Sequence, residues 1–359
     1  MQKSASKALV LALLSGSAYA DMTLEAGLDH WKTPAPMRYS PNYSTPNPWQ
    51  QNNPWMKFQG STELGGVKLT VHAKHSEVEG SRIDRLDADY RFTDNVGARV
   101  GVLPYRVSWC RTYETTNPWI REPDNFCSFN GLNEISQGAF GSQVYATTNQ
   151  GNWMIDGMIG IYRPMIDGQD KKLGPYVPVG PTVEHKKQGV SLNALHLGSG
   201  TQFRLSYLDT LQNQDSDTGS YQRRLTYKTL YAGVEGNITD KLSYRLSQAE
   251  YIGDQNNPAR LFNWHGTSRV YELGYQLSSR DQFAFGLSQY TNLTNYANSK
   301  NTQVLTVPTK SISWRRDYEN HVYSVVQISQ GTDTYTTIKP ETTYKSGTSI
   351  GFRIAKVFN

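Results

Sequence analysis

The sequence predicts an all-β fold, a closed transmembrane antiparallel barrel of about sixteen strands, with fourteen and eighteen as the neighbouring even counts. Three observations predict it. Segments of roughly ten residues alternate apolar and polar side chains with the period of a strand. The connections between them alternate short and long along the chain. Beyond residue 20, no segment approaches the ~20 consecutive apolar residues that a membrane helix needs. A soluble sandwich also alternates, but its polar face is outside and its loops follow no long/short rule.

The elements follow in order. Lys3 and Lys7, the apolar run Ala8–Leu14 and Ala18-Tyr19-Ala20 have the three-part layout of a cleavable export signal, so residues 1–20 are expected to be removed and 21–359 to form the barrel. Met22, Leu24, Ala26 and Leu28 then alternate with Thr23, Glu25, Gly27 and Asp29. A stretch rich in Pro, Asn and Trp, from Lys32 to about Pro54, reads as a long loop. Met56–Leu64 and Val67–Ala73 form a hairpin around Gly65-Gly66. Leu86–Phe92 and Val96–Val102 form a second one around Thr93-Asp94-Asn95, and the fifth strand feeds a long loop at about 104–134.

Further strands read at 140–146, 153–161, 189–197, 201–209, 225–236, 242–251, 269–277, 282–289, 309–315, 322–329 and 350–358, with Pro- and Gly-rich residues 163–182 as another long loop. The physical logic is closure. In hydrocarbon every backbone donor and acceptor needs a partner within the protein, and a sheet achieves this only by having no edge. Sixteen strands leave an aqueous lumen, whereas eight are filled by their own side chains.

Composition narrows the function classes. The chain carries 36 Lys+Arg against 31 Asp+Glu, and loss of Lys3 and Lys7 with the signal takes the net charge from +5 to +3. Such a balance excludes a dedicated nucleic-acid binder. Only 37% of residues are hydrophobic, yet there are 23 Tyr, 8 Trp and 30 Gly, too aromatic for a disordered chain. The two cysteines, Cys110 and Cys127, suit one local bridge in an oxidising compartment. The seven histidines are scattered, and His72 and His75 fall on opposite strand faces, a poor arrangement for joint metal ligation. No motif identifies a nucleophile with its base, so no enzyme and no cofactor are expected, although an outer-membrane hydrolase assembled from distant residues stays open as an alternative.

This layout resembles the Gram-negative outer-membrane porins. The segment Leu86-Asp87-Ala88-Asp89-Tyr90-Arg91-Phe92-Thr93-Asp94-Asn95, followed by Val96–Leu103, is similar to a porin hairpin leading into the third long loop. Gly351-Phe352-Arg353-Ile354 through Phe358 is similar to the assembly signal at porin C-termini, with the departure that Asn359 follows Phe358. The resemblance implies short periplasmic turns, long extracellular loops, residence in the cell outer membrane among lipid and lipopolysaccharide, a homotrimer, and passive diffusion of small hydrophilic solutes, sugars or anions among them. It also implies that the loop after the fifth strand folds into the barrel and narrows it. The alternative is a closed barrel whose long loops serve adhesion or partner docking.

On that reading the constriction is set by Arg106, Arg111 and Arg121 against Glu114, Glu122 and Asp124, with Arg91 and Arg99 on neighbouring strands as a basic ladder facing the loop. Arginines facing carboxylates across a narrow aqueous passage set up a transverse field. The bland counterpart is a solvated external loop with weak surface ion pairs. Glu25, Asp29, Lys57, Glu63, Lys68, Lys74, Asp87 and Asp89 are expected to face the lumen and hydrate its wall. Asn-Pro-Trp recurs at 47–49, 53–55 and 117–119, which makes Trp49, Trp55 and Trp119 a candidate aromatic solute track, with interfacial girdles as the commoner use of such rings.

Overall fold

The computed structural model describes residues 21–33, 49–77, 80–104, 114–120, 139–163, 182–215, 222–256, 262–296, 302–331, 334–337, 342–343 and 347–358. They form one antiparallel sheet closed on itself. In chain order the strands are β1 (Asp21–Thr33), β2 (Trp49–Leu64), β3 (Val67–Ser76), β4 (Gly80–Arg91), β5 (Val96–Leu103), β6 (Ala139–Gln150), β7 (Trp153–Arg163), β8 (Thr182–His196) and β9 (Gln202–Asp215). They continue as β10 (Gln222–Thr239), β11 (Leu242–Asn256), β12 (Phe262–Gln276), β13 (Asp281–Tyr296), β14 (Thr302–Asp317), β15 (Val322–Gly331), β16 (Thr334–Thr337), β17 (Thr342–Thr343) and β18 (Gly347–Phe358).

Sixteen of these make the wall, β1 to β15 and β18, each paired with its neighbours in sequence, and β18 closes on β1 with Leu24–Lys32 opposite Phe358–Ile350. The short β16 pairs with the outer part of β14 and with β17, so the two extend the sheet at the last long connection. No described helix is long and apolar enough to cross a membrane.

The connections sort by end. Residues 65–66, 92–95, 151–152, 197–201, 240–241, 277–280 and 318–321 turn tightly at one end, together with both termini of the wall. At the other end lie the longer links, except that β3 and β4 are joined there by residues 77–79 alone. Gly65 and Gly66 have φ of +59° and +80°, the left-handed conformation that a two-residue hairpin turn needs to match the twist of its strands.

Burial is inverted relative to a soluble protein. Leu28, Val100, Ile159, Leu230, Phe285, Ile312 and Phe352 are exposed on the outer face, while Glu25, Lys57, Asp87, Asp89, Gln143, Arg245, Glu272, Arg315 and Arg353 are buried on the inner one. Such a wall suits hydrocarbon outside and water inside, because its backbone polar groups are paired around the ring.

One sequence expectation is corrected here. Asn53-Pro54-Trp55 is not loop but part of β2, opposite Asp29, Leu28 and Gly27 of β1. Proline fits because the donor it lacks faces the end of β3, where the Pro54 carbonyl still accepts from the Glu77 N–H at 3.2 Å.

Candidate functional site

The connection between β5 and β6 enters the barrel. At its near end the Pro104 carbonyl accepts from Gln143 Nε2 of β6 at 3.0 Å, and Gln143 also donates to Tyr162 Oη at 2.9 Å. The chain is next described at Glu114–Ile120, where it lies on the inner faces of β14, β15, β18, β1 and β2. Around the ring these strands start three places from β5 at β2 and reach seven places away at β14.

Asn117 shapes the turn. Its N–H donates to the Glu114 carbonyl at 3.2 Å, and its Oδ1 accepts from the Trp119 N–H at 3.0 Å, an Asx turn of the kind that asparagine favours.

The far wall grips the loop by its main chain. Arg315 Nη1 of β14 donates to the Asn117 carbonyl at 3.2 Å, and Ile120 N–H donates to Gln327 Oε1 of β15 at 2.9 Å. Arg353 of β18 donates from Nη1 to the Trp119 carbonyl at 3.3 Å and from Nη2 to the Ile120 carbonyl at 3.4 Å. Guanidinium groups suit this task, since a planar fork can serve several acceptors at once. Trp119 is 1% exposed, and Ile120 packs on the cluster of Trp55, Tyr323, Val325 and Ala355. Thr115 shares a small recess with Thr23, Glu25, Lys57 and Gln59.

Each gripping side chain is itself held. Arg353 makes a two-pronged bond to Asp29, Nε to Oδ1 at 2.7 Å and Nη2 to Oδ2 at 2.8 Å, and Trp55 Nε1 donates to the same Asp29 Oδ1 at 2.8 Å. The Trp55 ring lies between two cations, Lys57 Nζ at 4.6 Å and Arg353 Cζ at 4.9 Å from its centroid. Lys57 reaches Glu25 at 3.5 Å, and Tyr323 Oη donates to Glu25. Arg315 bonds Asp317 from Nη2 at 2.6 Å and sits 4.0 Å from the Tyr323 ring centroid.

The β3–β6 wall is also charged. Arg85 pairs with Asp87, and Arg99 Nε donates to Asp89 Oδ2 at 2.8 Å. Tyr145 Oη donates to Asp89 Oδ1 at 2.6 Å, and Arg99 lies 4.3 Å from the Tyr145 ring centroid. Gly97 stands opposite Tyr145 and lets its ring lie flat on the wall, since a Cβ at Gly97 meets that ring. The inner face of β8–β14 carries buried hydroxyls, among them Ser191, Ser206, Ser268, Ser288 and Ser313, together with Tyr231 and with Arg245, which lies 3.5 Å from Glu235 and 3.4 Å from Glu272.

These placements can be set against the sequence expectations. Glu25, Asp29, Lys57, Lys74, Asp87, Asp89 and Arg99 fall on the inner face by register, with Glu63, Lys68 and Arg91 exposed toward the short-turn end. Arg99, one of the two arginines of the expected basic ladder, is paired with Asp89. Glu114 lies inside the barrel, exposed, at the start of the docked segment. Trp55 and Trp119 are corrected from an open track to packed anchors, at 5% and 1% exposure with no ring face open to a solute. Arg106, Cys110, Arg111, Arg121, Glu122, Asp124 and Cys127 lie outside the described residues, and so does the Trp49 side chain. Sequence reasoning missed the gripping role of Arg315, Gln327 and Arg353; their inward parity on alternating strands was the available signal.

No family model and no curated protein sequence matches the chain. Solved structures do. An anion-selective porin from Comamonas acidovorans superposes with a TM-score of 0.58 at 10% identity, covering 94% of this chain and 99% of that one. The outer-membrane OmpT of Vibrio cholerae gives 0.55 at 8% identity over 96% and 99%, and its in-vitro folded trimer form gives 0.50 at 9% identity over 95% and 100%. At these identities the likeness is one of fold.

Proposed function

We propose that this chain is a passive diffusion porin of the Gram-negative outer membrane, assembled as a homotrimer, that passes small hydrophilic solutes without a cofactor or a chemical step. The observation that carries the reading is the loop segment Glu114–Ile120, fastened by Arg315, Gln327 and Arg353 to a wall several strands from its origin. A sixteen-strand ring leaves an aqueous lumen, and a segment laid across it narrows that lumen. The long-loop end is assigned to the exterior and the termini to the periplasm, as in other barrels of even strand number. The Comamonas porin structure supports the porin assignment, and the trimer form of the Vibrio outer-membrane protein supports the assembly.

The mechanism is size exclusion combined with a field. Solutes pass between the docked segment and the β3–β6 wall, where Arg85 is paired with Asp87 and Arg99 with Asp89. Paired charges held at fixed positions orient a polar solute and disfavour an apolar one, because only the former recovers its lost hydration from the wall. Arg106, Arg111 and Arg121 facing Glu122 and Asp124 complete the constriction in this reading, with Cys110 and Cys127 bridged at the base of the loop. Purified protein in a planar bilayer is expected to give stable, stepwise conductance. Folded protein that inserts and gives none would refute the channel and favour a closed docking barrel.

A further inference from the structure

The docked segment builds a recess with the wall that holds it, and the polar groups inside are short of partners. Thr23, Glu25, Lys57 and Gln59 point inward from β1 and β2, and Thr115 closes the recess from the crossing segment. Without the segment the recess has no such wall. It is shallow and opens to the lumen beside β3, whose His72 and Lys74 stand opposite Gln59 and Lys57.

Lys57 is 8% exposed and Glu25 3%, yet they stand 3.5 Å apart, beyond the roughly 2.7–2.9 Å of a closed charge-assisted bond. Glu25 is the one hydrogen-bond partner of Lys57 among the described residues, so two of the three donors on this buried ammonium are unused. A buried ion pair is favourable only when its geometry is good and its remaining protons are satisfied, and this pair has neither. On the carboxylate, Tyr323 Oη donates to Oε1, which leaves Oε2 to Lys57 alone. Thr23, Gln59 and Thr115 make no side-chain hydrogen bond among the described residues. A lone carboxylate entering the recess meets Lys57 but also Glu25, and a lone ammonium meets the reverse. A solute that carries both charges close together lies antiparallel on the pair and is attracted at both ends. Asp29 and Arg353 alongside are matched to each other, while Lys74 on β3 turns the negative end toward β3 and the positive end toward β1.

We infer that this recess is a subsite for zwitterionic solutes of the α-amino acid class. The solute carboxylate takes the spare donors of Lys57, with the hydroxyls of Thr23 and Thr115 and the amide of Gln59 completing its shell, and the solute ammonium donates to Glu25 Oε2. The amino acid's side chain stays in the lumen, so the recess reads the charged head and not the individual amino acid. Solutes whose two charges lie far apart, such as peptides, cannot place both on one ion pair. The inference rests on the channel reading above and deepens it, from passage by size to preference for a zwitterion.

The test is ligand-observed saturation-transfer NMR on folded protein in detergent, titrating L-alanine, propionate, propylamine and γ-aminobutyrate. L-alanine is expected to bind about ten-fold or more tighter than each of the other three. Lys57→Gln removes that preference, and Lys228→Gln, on the outer face, leaves it intact. Thr115→Val, which changes the crossing segment without touching the ring, weakens alanine binding about five-fold, and Thr115→Ser restores it. Equal binding of the four solutes, tighter binding of propionate than of alanine, or an unchanged preference in Lys57→Gln or Thr115→Val overturns the inference. Unitary conductance is recorded on the same samples. Absent conductance with the alanine preference intact would refute the porin reading alone, and normal conductance without the preference would refute the subsite alone.

Discussion

Arg353 and Asp29 meet across the seam of the barrel, β18 against β1, in a two-pronged bond at 2.7 and 2.8 Å. The same guanidinium reaches the carbonyls of Trp119 and Ile120. One side chain therefore joins the last strand to the first and fixes the segment that crosses the lumen.

Arg353→Gln is expected to release the segment while leaving most of the wall intact. Single-channel conductance should rise, and the open level should become noisier. Arg353→Lys should lie between, because an ammonium cannot serve Asp29 and two carbonyls with the geometry of a planar fork. Conductance indistinguishable from that of the native chain would contradict the gripping role.

Trp119→Ala should act on the loop rather than the ring. Removing a buried indole typically costs about 3–5 kcal/mol, and here the cost falls on a docked connection. Limited proteolysis is expected to cut within residues 104–138 of the variant, with the sheet surviving as judged by a heat-modifiable band on gels. Equal resistance of both proteins would mean that the hydrogen bonds suffice without the indole.

Gly97→Ala should lift Tyr145 off the wall. The added Cβ meets the tyrosine ring, so the ring must swing into the lumen and release Asp89. Unitary conductance is expected to fall. Arg99 then loses the ring beneath it, so ion selectivity should change with the conductance.

Neutralising Arg106, Arg111 and Arg121 together to Gln should shift the reversal potential in a salt gradient toward cations, since local charge at the narrowest point outweighs the net charge of the whole. An unchanged potential would place those three residues outside the passage.

The ring was legible because its cause is local. A strand with hydrocarbon on one side and water on the other must alternate, so Leu24 and Leu28 against Glu25 and Asp29, or Ile350 and Ile354 against Arg353, announce both the strand and its faces. Strand ends were less legible at the long-loop end. β9 continues to Asp215 and β13 to Tyr296, where both faces are polar and the alternation fades although the ladder persists.

The destination of the loop was not legible at all. Nothing around Asn117-Pro118-Trp119 names a partner some two hundred residues away, because such a contact is made by the curvature of the closed ring rather than by any local pattern. For the same reason the tryptophans of the repeated triplet misled. Trp55 and Trp119 read as candidate solute-track rings in long loops, and ring closure buries both.

The seam carries a consequence for the order of assembly. β18 follows every other strand of the ring in chain order, and Arg353 lies within it, so the crossing segment has no complete anchorage until that strand finds the first. A chain arrested before that moment has neither a finished wall nor a defined aperture. Completion of the barrel and calibration of its opening are thus a single event, and a leaky half-built species cannot already possess the filter of the finished one.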